Sequence, residues 1–146
     1  MQLQARPLRP FSSTHRVRSG CGDIATLKVH DPRQGGDLVV AHDRYRVRPA
    51  RGGFVLESPE GVLATASRSS VRRWVEVAYA DRRLTLEPAS PLRRVYAVSE
   101  GVADRGVVRR RRSLFTRGLK ADIAPEVPLA VQLFIAWLML GGHRLT

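Results

Sequence analysis

The sequence predicts a mainly β fold, a closed or nearly closed antiparallel β-barrel wrapped around a hydrophobic C-terminal α-helix. Two observations support this prediction. Residues 127–140 read VPLAVQLFIAWLML, with Gln132 as the only polar side chain. A helix that is apolar on every side must be enclosed by protein or by lipid. The residues before this run break into short stretches with the alternating polarity and the turn residues that are typical of β-strands.

Nine or ten short strands are predicted, spaced by about 8–12 residues as in an all-β barrel or sandwich. In residues 44–48, Tyr45 and Val47 alternate with arginines, so that one face suits the core and the other suits water. The segment Ser58-Pro59-Glu60-Gly61 predicts a hairpin turn, because proline suits the second turn position and glycine tolerates a left-handed backbone. The predicted strands are residues 24–30, 37–41, 44–48, 54–57, 62–66, 73–79, 83–87, 94–98, 104–112 and 114–121.

The apolar run predicts a central helix over about residues 126–141. Its 14 residues would reach ~21 Å, which is short of the roughly 30 Å hydrocarbon core of a bilayer. No transmembrane span is therefore expected. Pro125 and Pro128 are suited to the approach and first turn of a helix, and Gly141-Gly142 to its end. A sheet that closes around this helix would satisfy both the helix and the edges of the sheet.

The chain is predicted to hold one folded domain, residues 24–146, preceded by a flexible basic arm over residues 1–23. The first 22 residues contain four arginines and no acid, and Pro7 and Pro10 would interrupt a helix there. The segment lacks the apolar stretch of a secretory signal, and the lone Cys21 excludes an internal disulfide. These features indicate a cytoplasmic protein. No internal repeat is evident in the sequence.

Charge is the strongest signal in the composition. The 146 residues include 25 Lys and Arg against 13 Asp and Glu, which gives a formal net charge of +12. A surplus of this size favours polyanionic partners, either nucleic acid or an anionic membrane surface. The alternative is a solvated basic surface that has no partner.

The densest positive charge is the run 109–112, which consists of four arginines. Burying unpaired arginine inside a barrel is too costly, so this run is expected to overhang the barrel end or to form a hairpin tip. Guanidinium groups there could bind phosphate oxygens in pairs. Three arginine pairs at predicted strand ends would extend this rim, although exposed charge without a ligand also explains them. The predicted anion- or phospholipid-binding residues are Arg72, Arg73, Arg82, Arg83, Arg93, Arg94, Arg109, Arg110, Arg111 and Arg112.

Neither an enzyme nor a cofactor is predicted. The sequence contains no phosphate-binding loop, dinucleotide-binding glycine motif or nucleophile elbow. His30-Asp31 and His42-Asp43 lie at predicted strand ends without the paired helical ligands of a zinc enzyme, so turn residues explain them better than a metal site. Cys21 has no identifiable base beside its thiol. No catalytic or metal-ligating residues are assigned.

Three short segments, together with the order of the elements, carry a family resemblance. They are G-F-V-L at 53–56 with P-E-G at 59–61 leading to Arg68, R-G-V-V-R at 105–109, and A-D-I at 121–123 before the helix. Over about residues 44–142 the chain resembles the tubby C-terminal fold in its broad sense, as a small bacterial-type member. That group includes phospholipid scramblases and LURP-one-related proteins. The resemblance implies a many-stranded barrel around a hydrophobic C-terminal helix. Tubby proteins bind phosphoinositides and scramblases act on phospholipids, whereas many bacterial relatives have no assigned role.

Charge and resemblance together predict a non-enzymatic tubby-like domain that binds anionic phospholipid headgroups through its arginine-rich rim, peripheral to a membrane. Lipid scrambling itself is not expected, since no segment is long enough to span a bilayer. A nucleic-acid-binding protein is the alternative, although several of the few aromatic residues are predicted in the core, which leaves few to stack on bases. A structural or regulatory module that binds another protein is the third possibility.

Overall fold

The computed structural model describes residues 1–8, 13–20, 22–29, 35–68, 75–89, 94–112 and 117–141, and the side chains of residues 111, 112 and 117 fall outside that description. The described chain forms twelve strands and one α-helix. The strands are β1 (Gln2–Pro7), β2 (Thr14–Ser19), β3 (Gly22–Val29), β4 (Gly36–Val40), β5 (Asp43–Ala50), β6 (Gly53–Ser58), β7 (Gly61–Arg68), β8 (Val75–Tyr79), β9 (Arg82–Pro88), β10 (Val95–Glu100), β11 (Ala103–Arg112) and β12 (Arg117–Ile123), and the helix α1 spans Leu129–Gly141.

The twelve strands form one closed antiparallel barrel. Strands that follow one another in sequence are paired, and β1 closes the barrel by pairing with β12 on one side and β2 on the other. At this closure Leu3 lies opposite Ala121, and Ala5 lies opposite Leu119. Each described strand therefore has two partners and exposes no open edge. The predicted fold class, an antiparallel barrel with a hydrophobic C-terminal helix, is confirmed.

Helix α1 fills the interior of the barrel. Residues 131–140 are all buried, although they face every direction around the helix axis. A barrel of eight strands is just wide enough to be filled by side chains, so a barrel of twelve strands has a wider interior that a helix can occupy. Inward side chains alternate with outward ones along each strand and complete the core. The fully buried ones include Val17, Leu27, Leu38, Val47, Leu56, Val77, Leu84, Leu86, Val98 and Val108.

Trp137 fastens the helix to the sheet. Its indole Nε1 donates a hydrogen bond to the carbonyl oxygen of Lys28 at 3.0 Å, and its ring meets the ring of Phe54 edge-on with 5.0 Å between centroids. Gly36 provides the space for this contact. A Cβ atom at that position would lie 2.5 Å from the indole Nε1 and 2.0 Å from the Lys28 oxygen.

Gln132, the one polar side chain of α1, is hydrogen-bonded at the start of the helix. Gln132 is buried, and its Nε2 donates a hydrogen bond to the carbonyl oxygen of Val127 at 2.9 Å. The side chain therefore ties the first turns of α1 to the segment that leads into it. The predicted helix, about residues 126–141, is confirmed, with its start at Leu129 because Pro125 and Pro128 lie in the approach.

The segment predicted to be a flexible arm instead forms two strands of the barrel. In β1, Leu3 and Ala5 are buried, and in β2 the buried Val17 lies between the exposed Arg16 and Arg18. This is the period-two pattern of a strand with one face in the core. Pro7 is the last residue of β1, a position where proline is tolerated. The arginines and prolines of this segment favoured the prediction of a flexible arm. Its apolar residues Leu3, Ala5 and Val17 nevertheless alternate with polar ones, as in a strand.

The barrel consists of three four-stranded units, a repeat that was not predicted from the sequence. Strands β2–β5 begin at residues 14, 22, 36 and 43, and β6–β9 begin at 53, 61, 75 and 82, a constant offset of 39 residues. In the third unit β10, β11 and β12 are followed around the barrel by β1, because the chain itself continues into α1. The first hairpin of every unit shifts register at the same point, after Val17, Leu56 and Val98.

Equivalent positions in the three units can therefore be compared directly. The last inward residue of β1, β5 and β9 is a proline, and each proline lies opposite a buried ring on the next strand. These pairs are Pro7 with His15, Pro49 with Phe54, and Pro88 with Tyr96. At equivalent positions on the outer face the three units differ in charge, and this difference marks the candidate site.

Candidate anion-binding surface

The predicted rim arginines that the structure describes are divided between the two ends of the barrel. The chain passes from β12 into α1 at one end, here called the entrance end, and α1 finishes at the opposite, exit end. Arg82 and Arg83 begin β9 at the entrance end, whereas Arg94 and residues 109–112 lie toward the exit end. Arg72, Arg73 and Arg93 lie outside the described residues, as do the side chains of Arg111 and Arg112.

Arg82 is committed to an ion cluster. Its Nε and Nη2 donate to the carboxylate of Glu100 at 2.7 and 2.6 Å, and Arg105 Nε donates to the same carboxylate at 3.0 Å. The hydrogen bond from Arg82 is the main cause that lowers the pKa of Glu100 to about 2, from 4.5. The Arg82 guanidinium also lies 6.0 Å from the ring centroid of Tyr79. These contacts make Arg82 part of the barrel end rather than a free anion-binding group.

Arg110 also makes contacts within the barrel. It lies on the inward face of β11, and its guanidinium is 5.2 Å from the ring centroid of Tyr96 with Nη2 donating to the Tyr96 hydroxyl at 3.3 Å. Its Nη1 lies 3.5 Å from the carbonyl oxygen of Met139, in the last turn of α1. A cation stabilises the C-terminal end of a helix, where carbonyl groups lack partners. The predicted overhang of residues 109–112 therefore does not hold for Arg110.

Arg109 lies beside a groove on the outer wall of the barrel. It is exposed on the outer face of β11, directly opposite Lys120 of β12. Next to this pair is an open concavity of about 510 Å³ on the outer wall, where β1 closes the barrel. The groove is lined by Gln2, Leu3, Gln4, Arg18, Gly20, Val107, Arg109, Lys120, Ala121 and Asp122.

The three units place very different charges at the same point of the outer wall. Three equivalent rows run around the wall of the barrel, and each consists of four outward residues, on the last three strands of one unit and the first strand of the next. One row alternates basic and acidic side chains, and a second holds a single acid among neutral side chains. The third, here called the closure row, holds three bases and no acid. The rows are Lys28, Asp37, Arg46 and Glu57; Ser67, Glu76, Thr85 and Ser99; and Arg109, Lys120, Gln4 and Arg18.

The closure row holds a pair of cations without a counter-charge. Arg109 and Lys120 are cross-strand partners, and among the described residues neither forms an ion pair. Like charges directly opposite each other on neighbouring strands destabilise a sheet. The equivalent positions of the first unit, Lys28 and Asp37, carry opposite charges. The fold itself therefore does not require two bases here.

The bases around this pair are partly neutralised. Arg16 Nε and Arg18 Nε lie 3.5 and 3.3 Å from the two carboxylate oxygens of Asp23. With the amide of Gln4 oriented toward it, Arg6 donates to the Gln4 oxygen from Nε at 2.9 Å and from Nη2 at 2.8 Å. Five exposed bases on adjacent strands thus face two acids, Asp23 and Asp122. These bases, called the basic surface below, are Arg6, Arg16, Arg18, Arg109 and Lys120.

Most of the basic surface was missed from the sequence. Arg6, Arg16 and Arg18 fall in the segment predicted to be a flexible arm, and Lys120 is not among the predicted anion-binding residues. The alternation Arg16-Val17-Arg18 is the signal that could have placed two of them on the outer face of a strand. The pairing of β1 with β12, which brings together residues more than a hundred positions apart, carries no local signal.

No family model, no curated protein and no solved structure matches the chain. The resemblance to the tubby C-terminal fold therefore stays a prediction from the sequence pattern. Across the described ranges, α1 is too short to cross a bilayer, and no other helix could do so.

Proposed function

We propose that this protein is a non-enzymatic, tubby-like β-barrel that binds anionic phospholipid headgroups at the cytoplasmic face of a membrane. The binding surface in this proposal is the basic surface on the outer wall, rather than the rim of arginines predicted from the sequence. The observation that carries it is the closure row, whose bases have no acidic neighbours in the row while the equivalent row of the first unit is charge-balanced.

The physical basis is charge attraction between a fixed array of bases and lipid phosphates. Each base near an anionic membrane surface contributes roughly 1 kcal/mol. Four strands spaced ~4.8 Å apart hold the closure row across about 14 Å, a span over which several headgroups can be contacted. Guanidinium groups bind phosphate oxygens in pairs, and lysine acts as a point charge.

Nucleic acid is the alternative that shares this charge. Single-stranded nucleic acid is usually bound by bases stacked on exposed aromatic rings. Among the described aromatic residues, Phe54, Tyr79, Tyr96, Phe134 and Trp137 are buried, and Tyr45 is half-buried on the inner face of β5. This arrangement favours lipid, and nucleic acid becomes an outcome of the test.

Vesicle sedimentation tests the proposal. We expect vesicles that contain phosphatidylserine to retain the protein at low salt, and vesicles of phosphatidylcholine alone to leave it in solution. Added salt should release it, because screening weakens exposed charge interactions. The variant R18Q/K120Q should bind about 30-fold more weakly, at roughly 1 kcal/mol for each lost base.

The matched control removes the same charge elsewhere. Arg44 and Arg68 are exposed on β5 and β7, and β7 lies across the barrel from β1. R44Q/R68Q should therefore sediment like the wild type. Equal loss in both variants would mean that net charge alone drives binding. Retention of DNA or RNA without vesicle binding would favour the nucleic-acid alternative, and binding of neither polyanion would favour a protein partner.

A further inference from the structure

We infer that Arg109 and Lys120 form a two-cation clamp for a dianionic phosphoryl group, and that its binding stabilises the pairing of β11 with β12, next to the strand that closes the barrel. The inference rests on the proposed function for the surface it uses and narrows the ligand to phosphate monoesters. The ligand could be carried by a lipid headgroup or be free in solution, and the chemistry recognised is the same in both cases.

The folded chain retains a repulsion between two bases on neighbouring strands. Arg109 of β11 lies directly opposite Lys120 of the neighbouring strand β12, and among the described residues no acid pairs with either. A cross-strand pair of like charges destabilises a sheet. The corresponding positions in the other two units hold Lys28 with Asp37 and Ser67 with Glu76, pairs without this repulsion. An anion that binds between the two bases would remove the repulsion.

The bases next to the clamp already have partners, whereas among the described residues the two bases of the clamp form no ion pair. Asp23 lies within 3.5 Å of both Arg16 and Arg18, and the Gln4 amide oxygen accepts from Arg6. Arg109 and Lys120 thus present two positive charges on directly opposed side chains, and among the described residues no ion pair offsets either of them. A phosphate monoester carries about −1.5 to −2 charges at pH 7, whereas a diester carries one.

The shape of the outer wall leaves room for a ligand beside the clamp. The groove beside the clamp has a volume of about 510 Å³ and opens to solvent along β12 and β1. Gln2 and Gln4 line it as neutral polar groups, and Asp122 lies on the same face as Lys120, two residues further along β12. Asp122 would repel an anion that moved along the groove. The phosphoryl group is therefore placed at Arg109 and Lys120, with the remainder of the ligand in the groove.

Ligand-dependent thermal unfolding tests the inference in the full chain. A ligand that binds only the folded state raises its stability in proportion to the logarithm of ligand concentration. We expect glycerol 3-phosphate, a monoester, to raise the midpoint of unfolding, and dimethyl phosphate, a diester, to raise it much less. In calorimetric titrations R109Q/K120Q should lose affinity by about tenfold per removed cation.

A second readout separates the clamp from a merely solvated pair. The single variant K120Q removes the repulsion without a ligand, so its midpoint in ligand-free buffer should equal or exceed that of the wild type. The same variant should respond less to glycerol 3-phosphate. A wild type that shows no shift, or variants that shift as much as the wild type, would overturn the clamp. R44Q/R68Q should respond like the wild type.

Vesicle composition distinguishes the two sources of the ligand and the two proposals. Phosphatidic acid presents a monoester and phosphatidylserine a diester. If the clamp is present and lipid supplies the ligand, vesicles of equal surface charge should retain more protein when they contain phosphatidic acid. A midpoint raised by glycerol 3-phosphate without vesicle binding would support the clamp and contradict the lipid proposal. Vesicle binding that does not depend on the headgroup, without a shift of the unfolding midpoint, would support the lipid proposal and contradict the clamp.

Discussion

Glu100 balances the charge of two arginines at the entrance end of the barrel. Its side chain is 20% exposed, and it accepts hydrogen bonds from Arg82 and Arg105. Arg105 is the bulged residue of its hairpin, and its carbonyl oxygen accepts a hydrogen bond from Ala124 N at 2.7 Å, just before α1. In the first and second units the residues equivalent to Glu100 are serines, Ser19 and Ser58. The ion cluster is therefore specific to the place where the chain turns into the helix.

The substitution Glu100→Gln should destabilise the protein at neutral pH and have little effect in acid. Arg82 foremost lowers the pKa of Glu100 to about 2 in the folded chain, below its ordinary 4.5. A carboxyl group with a depressed pKa contributes stability that is complete above its unfolded pKa and is lost as pH falls through the folded one. The difference in unfolding free energy between wild type and variant should therefore shrink from about pH 4.5 to about pH 2.

Urea unfolding across this pH range measures the effect. Glu87→Gln is the matched control, since Glu87 is exposed on the neighbouring strand β9 and forms no ion pair among the described residues. The control should be close to wild type at neutral pH, whereas E100Q should not. A difference between E100Q and wild type that stayed constant down to pH 2 would mean that the carboxylate is not what stabilises the barrel end.

Helix α1 is the element on which the core depends, and Trp137 joins it to β3 and β6. Truncation of a buried tryptophan to alanine typically costs about 3–5 kcal/mol, so Trp137→Ala should unfold at much lower urea concentration. Trp137→Phe retains most of the apolar surface but loses the hydrogen bond to the Lys28 carbonyl, an effect of about 1–3 kcal/mol for a buried unsatisfied acceptor. Val102→Ala, on a fully exposed turn, should stay within about 0.5 kcal/mol of wild type. If W137A were as stable as V102A, α1 would not be the plug of the barrel.

Some parts of the fold could be predicted from the sequence alone, and the enclosure of α1 is one of them. An apolar run of this length allows few environments, so its enclosure by strands was predictable from physics. Strands β5 and β6 were predictable for a similar reason, because a clear alternation and a Gly-Gly turn mark them. Strands β1 and β2 were not recognised, since their charge and prolines resembled those of a flexible arm. The basic surface depends on those two strands, and its assembly by barrel closure is a non-local event that a local pattern does not encode.

The whole molecule is a threefold arrangement that its sequence conceals. The first and second units keep the same strand starts, the same bulge and the same proline position while sharing few residues. What the units share is a set of backbone requirements, such as prolines that need no hydrogen bond at strand ends. Charge can differ between units because outward side chains take no part in the buried core. That freedom allows one wall of a regular barrel to become basic.

Equivalence between units makes a prediction about the interior. His15 is 5% exposed on the inner face of β2, at the position that Phe54 occupies in the second unit and Tyr96 in the third. If the three sites provide similar apolar surroundings, apolar burial of the phenyl ring in His15→Phe should offset much of the stability lost with the contacts of the imidazole. The reciprocal change, Phe54→His, should cost more, because it buries a polar ring and removes the edge contact to Trp137. Urea unfolding of both variants measures the two costs. A larger loss for H15F than for F54H would mean that the first unit uses its histidine for a purpose the other units do not share, and the repeat would then describe the backbone alone.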